Sequence, residues 1–303
     1  MIAVAGSTGF LGSAVMNELS NAGIVALGIA RNSTLPPASH HQIAQVDLAH
    51  DVDRLQRELD RFRVTCLIHL ALVSKPTFDH SPALAASGVE AIDHTLIEAC
   101  RRSSTLQTII LASSAAVYGD RHPQGYRIPE SGELAPGSIY GQIKLAQEKR
   151  WCSAALIQRL VTARVFNLIG PGEPTSYVCS AISHNLTKLK DGDALPIRSS
   201  ASTRDFCDVR DVSRALIAIA SLGADAPATV NICSGVPTTI AQLADIVVRV
   251  SGRNVRVTPD NAGAESRSLG DPGLLRSTTK WRQQLDLEQS ASSVWRERSQ
   301  APV

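Results

Sequence analysis

Three glycines, Gly6, Gly9 and Gly12, spaced G-x-x-G-x-x-G, constrain this chain more than any other feature. They follow a four-residue apolar run, Ile2–Ala5, and lead into a segment of helical periodicity, Leu11–Ala22. Glycine permits a tight turn and a close approach of the backbone to a charged group, which then sits at the unpaired N–H end of the helix. Such a triplet alone is compatible with a turn and helix–strand packing and nothing more. Placed after a first strand, at the head of a strand–helix alternation, it predicts a dinucleotide pyrophosphate site made by Gly6, Thr8, Gly9, Phe10, Leu11 and Gly12.

The alternation continues for half the chain. Short β-branched runs at Ile24–Ala30, Ile43–Val46, Thr65–Leu70, Gln107–Ala112 and Val161–Asn167 read as strands. Val52–Phe62, Leu84–Arg102 and Tyr140–Ala155 read as helices, and Pro36 and Pro37 make Asn32–His41 a loop. This is the pattern of βαβ units on a parallel sheet. From Gly170 onward glycine and proline interrupt it, which predicts a boundary near residue 168: a dinucleotide-binding domain over 1–168 and a substrate domain over 169–303, parts of which pack back on the first. The second part should hold helices at Val178–Lys190, Val209–Leu222 and Ile240–Ser251, a polar stretch at Ser199–Arg204 and a strand at Thr229–Cys233. The tail Ser290–Val303 lacks an apolar face. There is no internal repeat.

Composition excludes several function classes. Thirty Lys and Arg against 28 Asp and Glu give a net charge of +2 without any long run of like charge, which argues against a nucleic-acid or polybasic membrane surface. No apolar stretch approaches the length of a membrane span, and the first residues lack the pattern of a signal peptide. Six scattered cysteines, with no C-x-x-C and no histidine pair at ligand spacing, predict reduced buried thiols, no metal site and a cytoplasmic location.

Several further positions carry chemistry. The end of the second strand, where an acidic residue would accept hydrogen bonds from an adenosine ribose, reads Ala30-Arg31-Asn32. Arginine cannot accept those bonds but pairs with a 2′-phosphate, so NADP(H) is favoured, with NAD(H) the alternative. Asp47 and Leu48 after the third strand should lie near the adenine, and Leu70 and Ala71 after the fourth should border the cofactor. Tyr140 and Lys144, four apart on a helix, share one face. A cation beside a phenol of ordinary pKa about 10 eases its ionisation, and Ser114 at a strand end could hold a substrate oxygen next to both.

With these residues in place the chain resembles an extended short-chain dehydrogenase/reductase of the nucleotide-sugar epimerase, dehydratase and reductase group. The likeness spans nearly the whole chain. It rests on Gly6–Gly12, His69-Leu70-Ala71, Ser113–Gly119, Tyr140–Lys144, Arg164–Gly172, Arg204-Asp205-Phe206, Asp208–Val212 and Asn231–Gly235. It implies a Rossmann-type α/β fold, a doubly wound parallel sheet with a smaller C-terminal substrate-binding domain. It further implies that Ser114 and Tyr140 form the catalytic pair, that Lys144 holds the nicotinamide ribose, and that Asn167 and Arg204 face the nucleotide diphosphate. Thr175–Ser180, Ser199–Thr203 and Arg267 are further candidates for the substrate side.

Within that group, sugar dehydratases carry an acid pair after the catalytic hydroxyl residue, and this chain has Ala115 and Ala116 there. The second half, with Arg31, is most similar to the GDP-4-keto-6-deoxymannose reductases. The expected activity is therefore NADPH-dependent reduction of the C4 ketone of a nucleotide-linked 4-keto-6-deoxyhexose. The alternatives are C4 epimerisation with tightly bound NAD and, more remotely, a non-catalytic NADP(H)-binding regulator. The family also implies a homodimer through the helices Leu84–Arg102 and Tyr140–Ala155.

Overall fold

A computed structural model describes residues 1–31, 41–73, 75–260 and 265–300. The chain opens with β1 (Ile2–Ala5), α1 (Phe10–Asn21), β2 (Ala26–Ala30), β3 (Gln42–Gln45), α2 (Val52–Arg61) and β4 (Cys66–His69). α3 (Lys75–His80), α4 (Pro82–Arg102), β5 (Thr108–Ser114), α5 (Ile139–Ser153) and β6 (Arg159–Val165) complete the first half. There follow β7 (Asn167–Ile169), α6 (Val178–Thr187), β8 (Ala194–Arg198), β9 (Thr203–Asp208), α7 (Val209–Leu222) and β10 (Thr229–Ile232). The chain closes with β11 (Pro237–Thr239), α8 (Ile240–Ser251), β12 (Arg256–Asp260), α9 (Gly273–Thr279) and α10 (Leu287–Gln300). The proline loop at 32–40, Asn32 included, lies outside the described residues.

The central sheet has seven strands in the order β10-β6-β5-β4-β1-β2-β3, all paired in parallel. Strands covered by helices on both faces read as continuous apolar runs, and all five residues of β2, ALGIA, are buried. Successive side chains point to opposite faces. Val4, Ile68, Ile110 and Val161 pack on one side against Val15 and Leu19 of α1 and Leu216 and Ile219 of α7. Ala3, Leu27, Leu67 and Ile109 pack on the other side against Leu55 and Leu59 of α2, Leu96 of α4 and Trp151 of α5. Strand order reverses between β1 and β4, and a ligand crevice opens outside the carboxyl ends of such strands.

Segments from beyond residue 168 return to this layer: α7 packs on α1, and β10 pairs with β6. The rest forms a smaller layer. β7, β9 and β11 make a three-stranded sheet and β8 pairs with β12, around a core of Ile182, Leu186, Leu243 and Val247. α8 begins in a capping box in which Thr239 and Gln242 satisfy each other's backbone N–H groups.

Three expectations change. The sixth strand ends at Val165 rather than Asn167, because Asn167 begins β7 and pairs with Phe206 in the second sheet. The stretch Ser199–Arg204 includes the start of β9. The polar tail is a packed helix: α10 buries Ser290, Ala291 and Val294 against α8 and α6. Its small residues let helices approach closely, so the stripe carries little hydrophobicity to read.

The six cysteines are free, and all but Cys152 are buried. Among the described residues no cluster of His, Cys, Asp and Glu could hold a metal ion, and no helix is long and apolar enough to cross a membrane.

Candidate active site

A cavity of about 1400 Å³ lies at the carboxyl ends of the central strands and extends to the second sheet. Its cofactor side is built from the glycine turn. Gly6 has φ +82°, and a Cβ there would stand 2.7 Å from the Ala71 backbone. A Cβ on Gly12 would stand 2.0 Å from the Gly6 carbonyl oxygen. Gly9 is the N-cap of α1 and offers no side-chain cap, so the first N–H groups of the helix are left open beside the cavity. This cradle fits a dinucleotide pyrophosphate. Thr8, Phe10, Leu11, Leu70 and Ala71 line the same wall. Arg31, exposed after β2, lies at its far end with Asp47 and Leu48. Asp47 also accepts a hydrogen bond from the Ala49 N–H at 3.0 Å, so it serves the turn before α2 as well as the cavity wall.

Another wall of the cavity is built by the end of β5 and the start of α5. Ser114 is the last residue of β5, and its Oγ accepts from the Ala116 N–H at 3.2 Å. Its neighbour Ser113 donates instead to the buried Glu148 carboxylate, which pairs with Arg164 at 2.9 Å. Ser138 caps α5 by accepting from the Gly141 N–H at 3.1 Å, which sets Tyr140 in the first turn. The Tyr140 side chain meets that of Ser114, and its ring meets Phe78 edge-on at 5.2 Å. One turn on, Lys144 is buried and donates from Nζ to the Ala112 carbonyl at 2.6 Å and to Gln147 Oε1 at 2.5 Å.

Burial holds the Lys144 ammonium down to about 8, against the pull of the Asp93 and Glu148 carboxylates. Burial also pushes the Tyr140 phenol up to about 12, helped by the neighbouring Tyr177 and opposed by the Ser114 side chain. The easing of Tyr140 ionisation expected from Lys144 is therefore outweighed by desolvation, and the ammonium is aimed at Ala112 and Gln147. A phenol that keeps its proton is suited to giving it to a more basic oxygen.

Toward the second sheet the cavity reaches Asn167, at the head of β7, and Arg204. Arg204 donates to the Thr203 and Ser266 carbonyls, both at 3.0 Å, and stands 3.9 Å from the Asp120 carboxylate. Thr175, Ser176 and Tyr177 line the wall, whereas residues 199–203 do not. Arg267 pairs with Glu265 at 2.7 Å and lies outside the lining. Sequence reasoning missed Phe78 and the contact of Phe10 with Tyr177, whose ring centres are 5.9 Å apart. Scarcity was the available signal: aromatic residues make up 4% of the chain, and Phe10, Phe78, Tyr140 and Tyr177 converge on one cavity.

Residues 2–233 match the NAD dependent epimerase/dehydratase family. The chain belongs to this family. It is an NAD(P)-dependent enzyme of the extended short-chain dehydrogenase/reductase type. One similar protein is the dTDP-6-deoxy-L-talose 4-dehydrogenase (NAD(P)(+)) of Kitasatospora kifunensis, 26% identical over all of this chain and 96% of that one. Another is the GDP-6-deoxy-D-mannose reductase of Pseudomonas aeruginosa, 29% identical over 66% of this chain and 68% of that protein. Among solved structures, the UDP-glucose 4-epimerase of Thermus thermophilus in complex with NAD superposes with a TM-score of 0.83 over 99% of both chains at 22% identity. RMD from Pseudomonas aeruginosa complexed with NADPH superposes at 0.79 over 98% of both chains at 24% identity. These likenesses to solved structures bear on the fold. The named relatives include reductases, dehydrogenases and epimerases of nucleotide sugars, so the family member described here belongs with nucleotide-sugar-modifying enzymes.

Proposed function

We propose that the protein reduces the C4 ketone of a nucleotide-linked 4-keto-6-deoxyhexose, with NADPH as the preferred reductant. The observation that carries this reading is that the Tyr140 and Ser114 side chains meet in a cavity that lacks a carboxylate directly after Ser114. Ala115 and Ala116 occupy those places, so the acid pair a dehydration needs is missing. The 6-deoxy-sugar activities in the names of two relatives agree with it.

The cradle of Gly6, Gly9 and Gly12 would hold the cofactor, which would supply the hydride that reduces C4. The chain's own residues manage the oxygen. Ser114 donates a hydrogen bond to the C4 carbonyl, and Tyr140 gives its phenolic proton to that oxygen as the C=O double bond becomes C–OH. The resulting phenolate, with the Lys144 ammonium one helical turn away, recovers a proton from solvent. Asn167 and Arg204 hold the diphosphate of the sugar nucleotide, and Arg31 pairs with the 2′-phosphate that distinguishes NADPH.

A second reading is C4 epimerisation with retained NAD, favoured by the same Ala115-Ala116 and by the UDP-glucose 4-epimerases among the relatives. The deciding experiment follows loss of NADPH absorbance with GDP-, dTDP- and UDP-linked 4-keto-6-deoxyhexoses, beside NADH controls. Stoichiometric oxidation with one of them supports the reductase. No oxidation, with C4 inversion of an unoxidised nucleotide sugar and NAD carried through purification, replaces it with the epimerase.

The same reading includes a homodimer through α4 and α5. Each presents an outward stripe: Ala83, Ser87, Glu90 and His94 on α4, and Ile139, Gln142, Ala146, Lys149 and Ser153 on α5. Light scattering of the purified chain at twice its monomer mass, reduced to the monomer by Ala146→Glu, is the expected outcome.

A further inference from the structure

Behind the reactive side, Asp93 sits in the middle of α4 with its carboxylate fully buried. It accepts four side-chain donors. His69 Nε2 at 3.3 Å, Gln147 Nε2 at 2.7 Å and Trp151 Nε1 at 2.8 Å share one oxygen, and Arg150 Nη1 reaches the other at 2.5 Å. Complete burial lowers the His69 pKa, against the pull of Asp93, and its Nδ1 has no partner among the described residues.

Gln147 is the link to the reactive side. A carboxylate only accepts and an ammonium only donates. The Gln147 amide, lying between Asp93 and Lys144, can therefore adopt a single orientation: NH₂ toward Asp93, carbonyl toward Lys144. Of the carboxylates near the ammonium, Glu148 is committed to Arg164 and Ser113. That leaves Asp93, partly offset by Arg150, as the other negative charge close to it.

We propose that Asp93, acting through Gln147, is a positioning residue that fixes the direction and the charge of Lys144. This rests on the reading of Lys144 as the cation beside the proton donor Tyr140. The charged and titratable groups around Lys144 are Asp93 from α4, His69 from β4 and Glu148 from α5, with Arg164 of β6 paired to Glu148 and Arg150 of α5 paired to Asp93. Removing the negative charge of Asp93, or the carbonyl dipole of Gln147, takes away what keeps the ammonium protonated against burial, so its deprotonation moves to lower pH.

The test follows the ¹⁵Nζ resonance of Lys144 through a pH titration, assigned by its disappearance in Lys144→Met, in wild type, Asp93→Asn and Gln147→Met. Each of the last two should lower the midpoint by about one pH unit. The alkaline limb of kcat/KM should shift in the same direction, with kcat falling more than KM rises. Asp93→Glu, which restores the charge, should recover most of the shift. Gln147→Met leaves Asp93 three other donors and so reports even where Asp93→Asn fails to fold. Unmoved midpoints and limbs in variants that merely melt earlier would overturn the proposal, reducing Asp93 to a packing hub. The resonance is read without turnover, so a shifted midpoint in a protein that reduces no ketone sinks the assigned reaction and leaves the positioning role standing.

Discussion

The Ser180 N–H donates to Oε1 of Glu173 at 3.0 Å, joining the first turn of α6 to the loop that carries Tyr177 over the cavity. Gly170 N–H reaches the other carboxylate oxygen at 3.4 Å, and Arg298 of α10 donates to the Glu173 carbonyl and to Ser180 Oγ. The loop is thus strapped to the C-terminal helix. Burial pushes the Glu173 carboxyl up to about 7, above its ordinary 4.5. Between those values the folded state binds the proton more tightly than the unfolded chain, so this group's contribution to stability is present at low pH and lost as pH rises through about 7. Glu173→Gln keeps an acceptor and removes the titration. It should flatten the pH dependence of the melting temperature across that window and stabilise the protein at pH 8 by on the order of 2 kcal/mol. Parallel profiles for variant and wild type would refute this.

Tyr140→Phe removes the proton donor and leaves the ring against Phe78. General acid catalysis contributes about 10²–10⁴-fold, so kcat should fall by that amount. Cofactor affinity, measured by fluorescence titration, should stay within about twofold, since a lost single hydrogen bond is worth little when solvent replaces it.

Arg31→Ala should erode the preference for NADPH over NADH by roughly tenfold or more, the usual worth of a hydrogen bond between charged groups. Arg31→Asp should reverse it. Because the side chain is exposed, neither change should shift the melting temperature measurably. An unchanged ratio of kcat/KM for the two cofactors would remove Arg31 from the cofactor site.

Gly12→Ala puts a methyl group against the Gly6 carbonyl, with backbone on both sides of the contact. Overpacking of this kind costs about 1–3 kcal/mol. The glycine turn would have to open to relieve it, so dinucleotide binding by calorimetry should weaken together with the melting temperature. A tightly binding, stable variant would show that the turn yields more readily than its geometry indicates.

The first half of the fold was readable because its signals are local. An apolar run followed by helical periodicity is visible within a dozen residues, and the strand at Ile2–Ala5 appears with the expected limits, as do the helices Val209–Leu222 and Ile240–Ser251 of the second half. The tail was not readable. Small and polar residues become a core-facing stripe only when α6 and α8 stand opposite them. Val161–Asn167 read as a single strand, yet the chain changes sheets at Phe166, a switch that depends on the partner Phe206 some forty residues later.

The same division runs through the site. Spacing along one helix was enough to put Tyr140 and Lys144 on a common face, and three glycines before a helix were enough to mark the cradle, because both are properties of neighbouring backbone. Tertiary structure alone decided that Ser113 turns to Glu148, that Arg267 turns away to Glu265, and that Asp93 reaches Gln147 across 54 residues of chain. Burial and pairing of a polar group depend on what lies across the fold from it, and one sequence neighbourhood carries no record of that.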